Sequence, residues 1–188
     1  LLAMSIVLNT YGGILVPSSF ICFKSLKPLY DSNVNKMFIG DFANNTSSAN
    51  LKNRLLPEPV IMGCHPNNDK MVEFIKYLEL LNSRDFTAEM DFIGQPNIWL
   101  NNETKSGSIN LIDGKLIGSQ KKCGETIYVD ELIGSSYINL DENAYGLYIP
   151  WSQLINRISL QWFVRLSPQQ VLESDTIIGK YLLINSNN

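Results

Sequence analysis

Histidine occurs once in this chain of 188 residues, at His65, and cysteine three times. Cys22, Cys64 and Cys123 are odd in number and far apart, so they do not make a disulfide framework, and a reducing compartment is favoured. Three N-x-Ser/Thr triplets, beginning at Asn44, Asn45 and Asn102, pull weakly the other way, but a chain this rich in asparagine makes them by chance. Long apolar runs are also lacking. The longest, such as Ile14 to Val16 and Tyr181 to Ile184, fall far below the roughly 20 residues that cross a bilayer, so no membrane span is expected in this segment. Neither sign of charge dominates: 15 basic and 18 acidic side chains are mixed along the chain and leave a net −3. Without a basic stripe to neutralise phosphates, nucleic acid is not an expected partner. An initiator Met and the basic and apolar regions of a signal peptide are missing too. The opening Leu-Leu-Ala-Met already has a helical pattern, so the sequence reads as starting inside a longer polypeptide, with an upstream anchor left open.

What is present suits one α/β domain. The chain is 45% apolar with a mean hydropathy of −0.02, and its length is enough to bury a real core. Leu1, Leu2, Met4, Ile6 and Leu8 lie on a short helical segment that ends at Gly12-Gly13. Ile14 to Phe23 reads as a strand interrupted at Pro17, which removes a ladder donor and belongs at an edge, a bulge or a strand end. Residues 25–31 make one helical turn or two, Lys36 to Phe42 a short strand, and the Asn- and Ser-rich stretch 44–54 a surface loop. Val60 to Cys64 reads as a buried strand. Asn67 or Asn68 then caps the clearest helix, with Met71, Phe74, Ile75, Leu78 and Leu81 on one face. Thr87 to about Leu100 is a second helical segment, broken or bent by Gly94 and Pro96, and Asn110 to Gly118 and Thr126 to Ile133 read as short strands or hairpin arms. Beyond Pro150 the chain is helical. Trp151, Leu154, Ile155, Ile158 and Trp162 form one apolar stripe, and Ser167-Pro168-Gln169-Gln170 is a capped helix start. Strands alternating with helices, without repeat or linker, predict a single α/β domain over residues 1–188.

The segment Tyr11-Gly12-Gly13-Ile14-Leu15-Val16-Pro17-Ser18-Ser19, followed by Cys22, Leu26 and Lys27-Pro28-Leu29, resembles the centre of the sugar-binding DXD glycosyltransferases. This family 32-like group includes the mannosyltransferases that initiate fungal outer chains. Its members read Tyr-Gly-Gly-Ile, two residues, Asp-x-Asp, and soon a Lys/Arg-Pro-Leu. The order continues here with Met37 to Phe42, with Ile61-Met62-Gly63-Cys64-His65-Pro66 as a strand ending at a His-Pro, with a helix over residues 69–82, and with the turn Gly94-Gln95-Pro96. The likeness covers roughly residues 1–100. It implies a GT-A-like, Rossmann-like mixed sheet flanked by helices, with its front part missing; residues 101–188 match poorly and read as a divergent hairpin and helical extension. In the group the Asp-x-Asp pair holds Mn or Mg and touches the ribose of a nucleotide-sugar. A hard cation takes anionic oxygens and offsets the charge of the departing diphosphate. Aligned through Tyr-Gly-Gly-Ile, those acids fall on Pro17 and Ser19, a ring and a neutral hydroxyl. No cofactor is therefore expected, with Mn or Mg implied only for an active enzyme. The group's late His, which completes the metal site, has no counterpart in residues 101–188.

Individual residues carry competing readings. His65 is a general base or acceptor-site residue, or a turn residue that closes its strand, and the second is favoured. Cys64 and His65, adjacent on an extended strand, point to opposite faces and do not make a nucleophile pair. Asp91, with Glu89, stands just before the turn where the group builds its acceptor site; the alternative is a solvated helix face. Tyr145, Tyr148, Trp151, Trp162 and Phe163 make 145–166 unusually aromatic. Sugar stacking, a protein-binding face with Arg157 and Arg165, and packing of an amphipathic helix are the three readings. The stripe places Trp162 inside and turns Phe163 outward, which makes Trp151, Phe163 and Arg165 the interface candidates.

Two functions follow. The first is a glycosyltransferase-like protein that no longer transfers sugar and acts as a binding or structural component with protein partners. The Asn, Ile and Lys content suggests an AT-rich coding genome, and giant DNA viruses encode relatives of the group, which makes a virion or the cytoplasm its expected setting. The second is an active glycosyltransferase moving a sugar from a nucleotide-sugar to a glycan or protein, through a metal-independent site or ligands from the missing front, and in the Golgi or ER lumen if an anchor lies upstream. The nucleotide-sugar region is Tyr11, Gly12, Gly13, Pro17 and Ser19 in either case.

Overall fold

No charged side chain occurs before Lys24, and this uncharged stretch supplies a helix and two strands: α1 (Leu2–Tyr11), β1 (Gly13–Leu15) and β2 (Phe20–Cys22). Gly12 ends α1 at φ 71°, a left-handed conformation that a residue with a β-carbon rarely takes, and its N–H donates to the Leu8 carbonyl at 2.8 Å. The computed structural model describes residues 1–41, 57–83 and 94–186. Its chain divides into two compact units, Leu1–Pro17 with Leu26–Asp113, and Ser18–Ser25 with Gly114–Asn188. The chain crosses from one unit to the other after Pro17, after Ser25 and after Asp113, so β1 and β2 belong to different units.

The first unit is mixed α/β. Pro28 lies in the first turn of α2 (Lys27–Asp31), and the strands β3 (Phe38–Gly40), β4 (Met62–Cys64) and β5 (Asn110–Ile112) join β1 in the order β1-β4-β3-β5. Gly13 stands opposite Cys64 and Phe38 opposite Gly63 in antiparallel pairs, whereas β3 and β5 run parallel with Ile39 opposite Leu111. Gly63 has to be glycine, because the Phe38 ring occupies the place of its side chain. The helices α3 (Asp69–Ser83) and α4 (Gln95–Lys105) complete the unit. Asn68 caps α3, its Oδ1 accepting from the Met71 N–H at 3.1 Å. The core joins Leu8 of α1, Met37, Ile39, Met62 and Cys64 from the sheet region, and Met71, Phe74, Leu78 and Leu81 from α3. Burial of each large apolar side chain contributes about 1.5–3 kcal/mol. Trp99 of α4 stacks on Phe74, with ring centroids 5.0 Å apart.

Gly94 and Pro96 stand at the start of a helix. Proline in the first turn lacks an N–H that the helix leaves unbonded anyway, so α4 begins there and runs past Leu100 to Lys105. The 44–54 loop and the 87–93 part of the second helical segment, Glu89 and Asp91 included, lie outside the described residues.

The second unit pairs β2 with β6 (Gly146–Tyr148), antiparallel, with Phe20 opposite Tyr148. Around this ribbon stand α5 (Val129–Leu132), α6 (Trp151–Asn156), a 3-10 turn at Ile158–Leu160, α7 (Gln161–Val164), α8 (Pro168–Glu173) and α9 (Ile177–Ser186). Two expectations fail here. Of the hairpin arms, only Asn110–Ile112 is a strand, and Val129–Leu132 is helical: Glu131 accepts the Tyr128 N–H at 3.0 Å, and Asp130 and Glu131 favour a helix N-terminus. The segment beyond Pro150 is helical, but its single apolar stripe fails. Arg157 is extended, at φ −96° and ψ 117°, and this resets the helical phase midway along the stripe. Trp162 is therefore exposed at 52% and Phe163 buried at 7%, the reverse of the stripe's prediction. Leu154, Leu160 and Phe163 face the core that Ile21, Leu132, Leu147, Ile177 and Ile178 share. The Ser167 cap forms as predicted, with Gln170 N–H donating to Ser167 Oγ at 3.3 Å and Ser167 N–H to Gln170 Oε1 at 2.8 Å. Among the described residues no helix is long and apolar enough to cross a membrane.

Candidate functional site

Two segments far apart in sequence meet at the end of the first unit's sheet. The β1/β4 register sets Gly13 against Cys64, which brings Tyr11-Gly12-Gly13 beside His65-Pro66. A β-carbon on Gly12 would lie 2.5 Å from the Tyr30 hydroxyl and 2.7 Å from the Pro66 ring, so glycine is required for the approach as well as for its φ. His65 stacks on Tyr30 with ring centroids 4.0 Å apart, and its Nε2 lies 3.2 Å from the Tyr30 carbonyl oxygen. A carbonyl only accepts, so Nε2 carries the proton and donates. Asn67 sits at φ 56°, left-handed, which asparagine tolerates, while its N–H donates to the Asn9 carbonyl at 2.7 Å.

A cleft of about 480 Å³ opens beside this junction, bordered by Asn35, His65, Asn67, Asp69, Lys70 and Glu73 among others. Lys70 is held by Glu73 at 2.6 Å and by Glu103 at 3.1 Å, and these two carboxylates raise its pKa. Its charge is thus balanced within the protein, and the cleft is a polar hydrogen-bonding surface rather than a concentrated positive one. It suits a polar, uncharged group better than a diphosphate. Among the described residues no cluster of three or more His, Cys, Asp or Glu is placed to hold a metal ion.

Cys64, next to His65, is enclosed. Its Sγ donates to the Leu8 carbonyl at 3.6 Å, and burial pushes the thiol up to about 11, far from a nucleophile's range. Ser19, at the second acid position, has its Oγ buried without a hydrogen-bond partner, and its carbonyl accepts from the Ile149 N–H at 3.0 Å. Tyr11, Gly12, Gly13 and His65 share the first unit with Pro17, while Ser19 belongs to the second.

Of the interface candidates in the second unit, Trp151 is 54% exposed and Arg165 is exposed, but Phe163 is spent in the core. The residues that sequence reasoning missed are Ile155, Ile158 and Val164, which face solvent with Trp162. Asn35 and Lys70, which border the cleft, were missed, as were Tyr30, which stacks on His65, and Glu103, which pairs with Lys70. No local signal marks them: Arg157 carries neither proline nor glycine to announce a break, and Tyr30 and Glu103 reach the site only through tertiary contacts. In comparisons with family models, with curated proteins and with solved structures, no match to this chain is found.

Proposed function

We propose that this chain is a glycosyltransferase-like protein that has lost sugar transfer and serves as a binding or structural component of a protein assembly, such as a virion. The observation that carries the binding role is the solvent-facing set Trp151, Ile155, Ile158 and Trp162. Tryptophan is over-represented among interface hot spots, and these four exposed side chains fall within one short stretch of the chain. The loss of transfer is supported by Pro17, which has no side-chain ligand atom, and by the enclosed hydroxyl of Ser19.

Thermal unfolding with UDP- and GDP-sugars, with and without Mn²⁺, tests this reading. No change in Tm is expected. A metal-dependent rise of several degrees defeats the loss of transfer, since a ligand that binds only the native state must stabilise it. The polar cleft beside His65 favours a second reading, a transferase that works without a bound metal. Transfer or hydrolysis of a nucleotide-sugar that disappears in His65→Ala, with Tm unchanged, would establish that one.

A further inference from the structure

The polar cleft of the first unit has a border specific enough to select its ligand by charge and hydrogen bonding. Deepening the second reading above, on whose cleft this rests, we infer that the cleft binds a neutral ring molecule with adjacent hydroxyls, a sugar or a cyclic polyol without phosphate, whether or not any transfer follows. At about 480 Å³ it falls within the roughly 300–1,000 Å³ of small-molecule sites. Its groups are held in place before a ligand arrives. The stack on Tyr30 and the bond from Nε2 fix the His65 ring, which leaves Nδ1 as an acceptor. The Asn67 N–H is held by the Asn9 carbonyl at 2.7 Å, and the Asn68 amide oxygen by its cap on α3. Among the described residues, the Asn35 amide and the Asp69 carboxylate on this border have no protein partner.

Charge excludes most other ligands. Lys70 is answered twice over, by Glu73 at 2.6 Å and Glu103 at 3.1 Å, and Asp69 adds a further negative charge, so a phosphate meets more repulsion than attraction. A cation fares no better, because Glu73 and Glu103 are taken by Lys70, whose ammonium repels it along with the positive end of α3. An apolar ligand would strip water from Asn35, Asp69 and His65 and return no hydrogen bond. A hydroxyl both donates and accepts, which matches the acceptors at Asp69 and His65 and the two-way amides of Asn35 and Asn67. Val34, 55% exposed, and Pro66 give the same border an apolar part for the C–H side of a ring. A ring holds its hydroxyls in fixed positions, so it loses less freedom on binding a fixed border than an open chain does.

His65 is the chain's only histidine, so its ring C–H signals in proton NMR report on the cleft without labelling. The full chain is titrated with methyl glucoside, methyl mannoside, methyl galactoside and myo-inositol, and separately with sorbitol, inorganic phosphate and putrescine. At least one of the four rings is expected to shift these signals to saturation with a Kd on the order of 1 mM or below, and sorbitol, phosphate and putrescine are not. Asn35→Ala and Asp69→Asn should each weaken that ring by roughly threefold to tenfold, the worth of one hydrogen bond, and Asn35→Ala should leave Tm unchanged. No saturable shift with any of the four rings overturns the inference. So does a tighter response to phosphate, putrescine or sorbitol, and so does ring binding that both cleft variants leave intact but Trp151→Ala abolishes, because the site then lies in the second unit. The loss of transfer is decided by nucleotide-sugars with Mn²⁺, which this titration omits, so the two ideas fail separately.

Discussion

At Cys64 the residue scale already makes a measurable demand. Its thiol is fully enclosed under Leu8, and the pKa is pushed from 9.0 up to about 11 by burial. The folded chain therefore keeps a proton that the unfolded chain sheds. Between those two values the unfolded state binds fewer protons, so stability is intact below pH 9 and falls as pH rises toward 11, by up to roughly 1.4 kcal/mol per unit. Lys70, Lys121 and Lys122, whose pKa values their carboxylate partners raise, act in the same sense, so Cys64→Ala is the comparison that isolates the thiol. Urea titrations at pH 8 and pH 10.5 should show a smaller alkaline loss in that variant; an equal loss removes the thiol from the account. At pH 8 a thiol reagent should modify exposed Cys22 and Cys123 in the native protein and reach Cys64 only on unfolding. That Cys64 and His65 make no nucleophile pair was read from their adjacency on an extended strand; the burial that raises the thiol was not. The stack of His65 on Tyr30 was not, since Tyr30 reaches His65 from another element.

Among elements, α3 and the α6–α7 segment behave in opposite ways. In α3 the sequence period and the packing agree, because a single uninterrupted helix keeps Met71, Phe74, Leu78 and Leu81 in phase from the Asn68 cap onward. Beyond α6 the extended Arg157 shifts that phase, so the residues spaced like a core stripe end in solvent. The consequence is a reversal of mutational sensitivity. Phe163→Ala should cost about 3–5 kcal/mol, because it opens a cavity beside Leu154 and Leu160. Trp162→Ala should cost no more than about 1 kcal/mol in dilute solution, the worth of its edge contact with the Phe163 ring at 5.7 Å. Denaturant unfolding of the two variants side by side decides the matter, and a Trp162→Ala loss equal to that of Phe163→Ala would restore the continuous stripe.

For the whole molecule, the two cores share no member: Ile39 lies in one and Ile178 in the other. Ile→Val at either position should cost about 0.5–1.5 kcal/mol. Their double variant should lose the sum to within about 0.5 kcal/mol in a urea double-mutant cycle, and a larger coupling would mean that the cores are not independent. The sequence by itself determined α1 with its Gly12 stop, the buried β4, α3 with its cap and α8 with its Ser167–Gln170 box. Each is settled within a few residues, by side-chain spacing and by hydrogen bonds between near neighbours. Only the tertiary structure decided that Phe20–Cys22 pairs with Gly146–Tyr148 rather than continuing β1, that Tyr30 stacks on His65 and Glu103 pairs with Lys70, and that Phe163 rather than Trp162 is buried. Those outcomes come from contacts between segments distant along the chain, whose free energy is gained when the parts meet and leaves no mark in the local pattern of either one.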